Sequence, residues 1–150
     1  MDNNIAFLAS DVGRLFRKRF ELATRDLGIT SPQWRMILRI SENPGINQGS
    51  LAGMLEVEAI TAGRMIDRLE RLGLVERRPD PTDRRAWLLH LTDRARPMVD
   101  LLRNRAATVI AESTETLSPD ELAQLVGLLA RVRERLLGQG AESPRLVANG

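Results

Sequence analysis

The sequence contains no cysteine and no tyrosine, and His90 is its single histidine. Without cysteine the chain cannot form disulfides, iron–sulfur clusters or thiolate metal sites, and it cannot sense oxidants through a thiol. A metal site built on His90 would depend on carboxylates or on a second chain for its other ligands. Apolar runs are only a few residues long, which excludes a helix that spans a membrane. We therefore expect a cytoplasmic protein with no metal, no cofactor and no membrane association.

Catalytic patterns are missing from the sequence as well. It shows no nucleophile paired with a base, no glycine-rich loop that would cradle a phosphate and no spacing typical of metal ligands. The 150 residues suffice for one domain with helical extensions and a sizeable core. These observations favour a binding protein over an enzyme.

Charge is present, but it is unevenly distributed. The chain carries 22 basic and 20 acidic residues, and every basic residue except Lys18 is arginine. Residues 1–63 hold seven basic and seven acidic groups, whereas residues 64–96 hold nine arginines and six acids. Because arginine binds phosphates and guanine edges in a bidentate manner, residues 64–96 are the candidate nucleic-acid surface.

Apolar residues at helical spacing predict two helices at the beginning of the chain. The first runs from Ile5 to about Leu27 and stops at Gly28. The second begins with Ser31 as N-cap and Pro32 in the first turn, and it ends at Asn43. Its predicted buried face consists of Trp34, Ile37, Leu38 and Ser41.

The middle of the chain predicts two shorter helices and a hairpin. Asn47 caps a helix over Gln48–Leu55, and a helix over Glu58–Leu72 closes on Gly73. Alternating residues then predict strands at 74–78 and 86–91, joined by a proline-containing turn at 79–83. Two long helices follow, from Thr92 to about Glu115 and, after the capping box at Ser118–Glu121, to about residue 137.

Three compact helices followed by a hairpin are typical of a winged helix-turn-helix. We predict a mainly α fold with a small β-hairpin, in which residues 31–92 form the winged helix-turn-helix lobe. The terminal helices, at 5–30 and 93–137, carry apolar stripes with little core of their own to cover, and they predict a dimerisation region shared with a second copy. Residues 138–150 are expected to be a disordered tail.

The predicted helix over Glu58–Leu72 has an apolar face and an arginine-rich face. Ala62, Ile66 and Leu69 fall on the core side, with Met65 at its margin. The opposite face carries Thr61, Arg64, Arg68 and Arg71. This arrangement is expected of a helix in the major groove, where arginine binds guanine and threonine contacts a base edge. The alternative is a solvated face whose arginines pair with Asp67 and Glu70.

The turn of the hairpin places two further arginines at its tip. Arg84 and Arg85 follow a rigid loop with two prolines, from which guanidinium groups reach phosphates or a narrow minor groove. Asp83 is placed to hold Arg85 in one orientation. The alternative is a plain polar turn with local ion pairs.

These segments resemble a family. The string Thr-Ala-Gly-Arg-Met-Ile-Asp-Arg-Leu-Glu-Arg-Leu-Gly-Leu-Val-Glu-Arg (61–77), the run Asp-Pro-Thr-Asp-Arg-Arg (80–85) and Leu91–Thr92 are similar to the signature of the MarR family of bacterial transcriptional regulators. The motifs at 31–34, 48–52 and 117–122 also fit, most closely the SlyA-like branch. The resemblance covers roughly residues 5–137.

The resemblance implies a homodimer with interleaved terminal helices, bound to a pseudo-palindromic operator on double-stranded DNA. By motif position, Thr61 and Arg64 would read bases, Arg84 and Arg85 would act from the wing, and Ser31 and Gln48 would lie near phosphates. Gly63 departs from the pattern, because related proteins often carry a larger residue there. Either close backbone approach or reduced contact with the groove would explain it.

The resemblance also implies a ligand pocket between the dimer helices and the DNA-binding lobe. Candidate lining residues are Arg14, Arg17, Trp34 and Leu38, since an aromatic and apolar lining with a cation suits a small aromatic carboxylate. The alternative is that Trp34 is ordinary core and the arginines are solvated.

Together these features predict a DNA-binding transcriptional repressor that a small-molecule effector releases. A competing hypothesis is a winged-helix module that binds protein and has no sequence-specific affinity for DNA. Salt separates the two, because DNA binding weakens steeply as phosphate counterions are released.

Overall fold

The computed structural model describes residues 4–139, which form two compact units that meet in sequence after Val109. The helices are α1 (Ile5–Thr24), α2 (Ser31–Glu42), α3 (Gln48–Met54), α4 (Ala59–Arg71), α5 (Arg96–Ser113) and α6 (Pro119–Gln139). Short 3₁₀ turns at Arg25–Leu27 and Asp93–Ala95 follow α1 and precede α5. The strands are β1 (Ile46–Asn47), β2 (Val75–Pro79) and β3 (Trp87–Leu91). None of the helices within residues 4–139 is long and apolar enough to cross a membrane.

The predicted winged helix-turn-helix, mainly helical with a small sheet, is confirmed, but the sheet has a third strand. β2 and β3 pair antiparallel in the register Glu76 with His90 and Arg77 with Leu89. β1 pairs with the other edge of β3, where the Gly45 N–H donates to the Leu89 carbonyl at 2.9 Å. The sequence gives little sign of β1, because a strand of two residues has no periodicity to detect.

The start of α2 differs from the prediction. Thr30, not Ser31, is the N-cap, and it forms a reciprocal capping box with Gln33. The Thr30 N–H donates to Gln33 Oε1 at 2.9 Å, while the Gln33 N–H donates to Thr30 Oγ1 at 3.4 Å. Ser31 is the first helical residue, and Pro32 follows it in the first turn. Thr30 and Ser31 both carry a hydroxyl and precede Pro32. Thr30 is the N-cap because Gln33, three residues later, completes the capping box with it.

The core of the first unit joins α2, α3, α4, the sheet and the beginning of α5. Its fully buried large side chains include Met36, Ile37, Ile40, Leu51, Ile66, Leu69 and Leu89. The buried residues of α2 are Gln33, Met36, Ile37 and Ile40. Of the predicted face, Ile37 is fully buried, and Trp34 and Leu38 are partly buried but pack against the core. Trp34, Leu38 and Ser41 are half-buried at the edge. The apolar pattern of α2 is broad enough to fit either face, and packing against the sheet selects one.

Two further contacts connect elements of the first unit. The Thr92 hydroxyl donates to the Gly73 carbonyl, which ties the end of β3 to the turn that closes α4. The Arg105 guanidinium of α5 forms an ion pair with Asp26, with 2.9 Å between Nη2 and Oδ2, and donates to the Ala23 carbonyl at 2.8 Å. The bond to Arg105 lowers the pKa of the Asp26 carboxyl below its ordinary value of 3.8.

The second unit contains the end of α5 and all of α6. The predicted capping box is present, since the Ser118 N–H donates to Glu121 Oε1 at 2.9 Å and the Glu121 N–H donates to Ser118 Oγ at 3.1 Å. These bonds lower the pKa of Glu121. Helix α6 extends through Gly138 to Gln139, so it includes two residues that we assigned to the tail. The rest of the predicted tail, 140–150, lies outside the described residues.

Candidate functional site

Helix α4 has the two faces that its sequence predicts. Ala62, Ile66 and Leu69 are completely buried against the core. Thr61, Arg64, Arg68 and Arg71 are exposed. Met65, predicted at the margin, is half-buried. The outer face of α4 is therefore free to contact a ligand.

Arg77 of β2 reaches α4 and occupies both of its acidic side chains. Its Nη1 lies 2.6 Å from Asp67 Oδ1 and 3.4 Å from Glu70 Oε1. Its backbone N–H donates to Glu70 Oε2 at 3.3 Å. The side chain of Arg77 is only 16% exposed, whereas Asp67 is 51% exposed.

Two more bonds extend this set of contacts to α3 and to the backbone of α4. Arg77 Nη2 donates to the Gly63 carbonyl at 3.2 Å, and its Nε donates to Gln48 Oε1 at 3.4 Å. We call these five residues, Arg77, Asp67, Glu70, Gly63 and Gln48, the Arg77 cluster. The cluster connects α3, α4 and β2, the first strand of the hairpin.

The Arg77 cluster determines which residue pairs with the two acids of α4. If Arg64 and Arg68 paired with Asp67 and Glu70, the outer face of α4 would be a neutral solvated surface. Instead Arg77 takes both carboxylates, and within residues 4–139 the Arg64 and Arg68 guanidiniums have no ion pair. Two exposed positive charges therefore remain available to a phosphate or a base.

Gly63 lies close to the side chain of Gln48, and the lack of a Cβ at Gly63 leaves room for this contact. A Cβ at this position would lie 3.1 Å from Gln48 Nε2. Gln48 is the first residue of α3 and is half-buried, so it belongs to the Arg77 cluster rather than to open solvent. Ser31, predicted with Gln48 near phosphates, is a half-buried residue at the start of α2.

The loop between β2 and β3, which we call the wing tip (residues 80–86), is held by its own aspartates. Asp80 Oδ1 accepts bonds from the Thr82 N–H and from the Thr82 hydroxyl, both at 2.8 Å, which lowers the pKa of Asp80. Asp83 Oδ1 accepts the Arg85 N–H at 2.9 Å. Asp83 thus holds the backbone of Arg85 through this bond.

The wing-tip arginines extend from this ordered loop. Arg84 and Arg85 are both exposed, and neither forms an ion pair with any residue between 4 and 139. Their positive charges remain uncompensated beside a loop whose backbone is already satisfied by local hydrogen bonds. The alternative of a turn with local ion pairs differs from the wing tip in this respect, because the aspartates accept hydrogen bonds from Thr82 and from the Arg85 backbone.

A groove between α1 and α2 contains three of the four predicted ligand residues. It has a volume of about 380 Å³, and Arg17, Trp34 and Leu38 line it with Phe16, Phe20, Arg35, Arg39 and Glu42. We call it the aromatic groove. Phe20 stacks on Phe16 and meets the edge of Trp34, each with a centroid distance of 5.7 Å. Arg14 is not part of the lining and lies 3.5 Å from Asp11 on the exposed side of α1.

Three residues that line the aromatic groove, Trp34, Arg17 and Arg35, have polar groups without partners in the described chain. Trp34 Nε1 is buried and has no hydrogen-bond partner within the part of the chain that the structure describes. Arg39 pairs with Glu42 at 3.4 Å, which leaves Arg17 and Arg35 as cations without an ion pair in the described chain. An unsatisfied donor beside uncompensated positive charge suits an anion with an aromatic ring.

A larger cleft on the sheet is less suited to an anion. It has a volume of about 790 Å³ and lies between the end of α2, the sheet and the start of α5. Its lining includes Arg78, Arg96 and Arg103, but also Glu76, Asp93 and Asp100. Arg78 and Arg96 already pair with Glu76 and Asp93. Because the charges that line this cleft are balanced, its larger volume does not make it a better site for an anion than the aromatic groove.

Several residues of these sites were not predicted from the sequence. The sequence places Arg77 in the first strand of the predicted hairpin, but it does not identify Asp67 and Glu70 of α4 as its partners. Alternation along β2 supplies a signal, because it puts Arg77 on the opposite face from Glu76 and Arg78. In the aromatic groove, the missed residues are Phe16, Phe20, Arg35 and Arg39. Phe16 and Phe20 lie on α1, whereas Arg35 and Arg39 lie on α2 with Trp34. The two sets line one groove only after α1 and α2 pack.

Comparison with known proteins gives consistent matches over the same region. The sequence profile of the MarR family matches residues 29–87. The uncharacterized HTH-type transcriptional regulator YybA of Bacillus subtilis is 32% identical over 112 residues, which cover 75% of each chain. A solved mutant of MarR from E. coli complexed with operator DNA has a TM-score of 0.74 and 29% identity, and the match covers 85% of this chain and 92% of that one. The transcriptional repressor CouR, bound to a 23-mer DNA duplex, has a TM-score of 0.77 and 27% identity over 87% of this chain and 92% of its own.

Proposed function

This chain belongs to the MarR family of transcriptional regulators, and we propose that it is a homodimeric, cytoplasmic repressor that binds a pseudo-palindromic operator on double-stranded DNA. The family consists of regulators rather than enzymes. In this proposal residues 31–92 form the DNA-binding lobe and residues 5–30 and 93–137 form the dimerisation region. The motif at 117–122 supports placement in the SlyA-like branch.

The observation that carries DNA binding is the occupation of Asp67 and Glu70 by Arg77. It leaves Arg64 and Arg68 on the outer face of α4 without acidic partners in the described chain. A helix in the major groove reads bases with its N-terminal residues, so Thr61 and Arg64 act on base edges. Arg68 binds the phosphate backbone, and Arg84 and Arg85 act from the wing tip at the minor groove. Two solved relatives, the E. coli MarR mutant and CouR, are bound to DNA and support the same partner.

Dimerisation is supported by exposed apolar side chains on each terminal helix. Helix α1 exposes Ile5, Phe7, Leu8, Val12, Leu15 and Leu22. Helix α6 exposes Leu125, Val126, Leu128, Leu129, Val132, Leu136 and Leu137. Soluble monomers seldom leave such long apolar stripes in water, and a second copy would bury them.

Modulation by a small aromatic carboxylate is supported by the aromatic groove. Its ring lining and its uncompensated Arg17 and Arg35 fit a benzoate-like anion, and Trp34 Nε1 offers a donor to the carboxylate. The dimer can differ in the separation of its two DNA-binding lobes. A ligand that binds one of these conformations more tightly shifts the population toward that conformation. Because half-sites lie about one helical turn (~34–36 Å) apart, a modest shift releases the operator.

A gel shift with the DNA beside the gene for this protein tests the proposal. We expect binding at low salt that weakens steeply with salt concentration. Arg64→Ala should weaken binding by about 1–3 kcal/mol and relax the preference for one base pair, whereas Arg85→Ala should mainly reduce the salt dependence. Arg133→Ala, on α6, is the matched control and should bind as the wild type does.

The outcomes separate the proposal from the protein-binding module. Absence of DNA binding at low salt would contradict it, and salt-insensitive binding of a protein partner would favour the module. If DNA binds but neither arginine variant weakens it, the assignment of contact residues is wrong.

A further inference from the structure

The first turn of α4 exposes an isoleucine on its arginine-bearing face. Ile60 is 69% exposed, the highest value among the large apolar side chains of the described lobe. At 100° per residue it lies opposite Ala62, Ile66 and Leu69 and one turn before Arg64. Ile60 is thus at the centre of the surface that the proposal places in the major groove.

Packing within the chain does not explain Ile60. The core face of α4 is complete without it, because Ala62, Ile66 and Leu69 are fully buried. A β-branched residue also has lower helix propensity than alanine or leucine, so an exposed Ile60 adds nothing to helix stability. Single exposed apolar residues are common on proteins, so the informative feature of Ile60 is its position on α4 rather than its exposure.

The neighbours of Ile60 define the kind of group it would contact. Thr61 follows it in sequence and Arg64 lies one turn further along α4, both exposed, and Arg64 has no ion pair within residues 4–139. In the major groove the apolar group that a base presents is the C5-methyl of thymine, and proteins read it with apolar side chains. The geometry points to Ile60 as the residue that reads a thymine in each operator half-site, an inference that rests on the proposed DNA binding.

Helix dimensions restrict where this thymine lies. Ile60 and Arg64 are four residues apart, which is about 6 Å along the helix axis at ~1.5 Å per residue. Successive base pairs are about 3.4 Å apart. The thymine that contacts Ile60 therefore lies within about two base pairs of the base that contacts Arg64, and the half-site contains both.

The test compares thymine with 2′-deoxyuridine, which differs only by lacking the methyl group. Duplexes are first selected from a random DNA library with the full-length wild-type protein. Each thymine of the selected sequence is then replaced in turn by deoxyuridine, and binding is measured with wild type, Ile60→Ala and Leu72→Ala. Leu72 is the control, since it is an exposed apolar residue at the opposite end of α4.

For wild type and Leu72→Ala, we expect one symmetry-related pair of positions at which deoxyuridine weakens binding. The loss should be about fourfold for each half-site, which is equivalent to ~0.8 kcal/mol per buried methyl. Ile60→Ala should bind the thymine duplex more weakly by at least this factor and show no further loss with deoxyuridine. Ile60→Val should keep part of the discrimination.

Three results would overturn the inference while leaving DNA binding intact. They are a wild-type protein indifferent to every deoxyuridine, an Ile60→Ala variant that keeps the discrimination, and an Ile60→Ala variant with wild-type affinity. Failure of the selection to yield any sequence would instead overturn the proposed function. The thermal midpoints of the variants are measured beside the wild type, and an unfolded Ile60→Ala would contradict the inference, because it would show a packing role.

Discussion

Arg77 in the first strand of the hairpin holds Asp67 of α4 through an ion pair of 2.6 Å between Nη1 and Oδ1. Most surface ion pairs contribute little to stability, because water screens them and two long side chains must be ordered. Arg77 differs because it is only 16% exposed and it also donates to Gly63 and Gln48. The same contacts connect α4 to β2 and pair two negative charges that lie beside Arg64 and Arg68.

Arg77→Ala should weaken DNA binding although Arg77 itself is mostly covered. The substitution frees Asp67 and Glu70, which would repel phosphates and pair with Arg64 or Arg68. It also removes hydrogen bonds to a charged donor, each worth about 1.5–3 kcal/mol, so the free energy of unfolding should fall. DNA affinity and urea unfolding measured on the same preparation check both effects.

Two controls distinguish charge from folding in the Arg77 cluster. Arg77→Ala combined with Asp67→Asn and Glu70→Gln should recover much of the DNA affinity, because the repelling charges are gone. Arg78→Ala removes a neighbouring arginine that pairs with Glu76 on the other face of β2, and it should lower affinity less. A triple variant that binds no better than Arg77→Ala would refute the electrostatic explanation.

Gly63→Ala should stabilise the lobe and disturb the site. Alanine is favoured over glycine inside a helix by about 1 kcal/mol. The new Cβ would lie 3.1 Å from Gln48 Nε2, so the flexible end of Gln48 must shift and its bond to Arg77 weakens. We expect a higher thermal midpoint with weaker DNA binding. Gly53→Ala on α3, where a Cβ meets nothing within 4 Å, is the control and should only stabilise.

Asp26→Asn should lower stability at neutral pH and have no effect in acid. The pKa of Asp26 is lowered in the folded state by Arg105, so its contribution to stability is complete above the unfolded value of 3.8 and is lost as the pH falls through the folded value. Thermal midpoints of wild type and Asp26→Asn should therefore approach each other only as the pH falls below 3.8, and they should converge below the lowered folded pKa of Asp26. Asp11→Asn, which removes an exposed pair with Arg14, should differ little from wild type at any pH.

Trp34→Phe should weaken the binding of benzoate with little change in stability. The substitution removes an indole N–H that is buried without a partner in the described chain, and it keeps most of the ring contact with Phe20. Loss of a hydrogen bond to a carboxylate, about 1.5–3 kcal/mol, corresponds to tenfold weaker binding or more. Calorimetric titration with benzoate measures this effect. Equal affinity of Trp34→Phe and of Trp87→Phe, the same change on the wing, would place the ligand elsewhere.

Leu129→Glu should dissociate the proposed dimer. Leu129 is exposed within a run of apolar residues along α6, and a carboxylate there would be buried without a partner if two copies met on this face. We expect the dissociation constant to rise on the order of tenfold or more. Sedimentation of wild type, Leu129→Glu and the polar control Gln124→Glu checks the expectation, and an unchanged mass would remove α6 from the interface.

Local signals predicted most elements within a few residues. Asn47 caps α3, Ser118 and Glu121 form their capping box, and Gly73 takes a positive φ of 74° after α4. These features depend on neighbours in sequence, so the sequence contains the information. Choices among equivalent local options were less accurate. Thr30 rather than Ser31 caps α2, and Met36 rather than Trp34 is fully buried.

The amino-acid sequence by itself determined the order of elements, the apolar face of α4 and the concentration of arginine in residues 64–96, because periodicity and charge are properties of position along the chain. Only the tertiary structure decided which acid pairs with which arginine. Arg77 and Asp67 are ten residues apart in separate elements, and their contact exists because β2 returns beside α4. The same folding step brings Gln48 to Gly63 and leaves Arg64 and Arg68 unpaired within the described chain. Their availability is therefore a result of packing that composition does not contain.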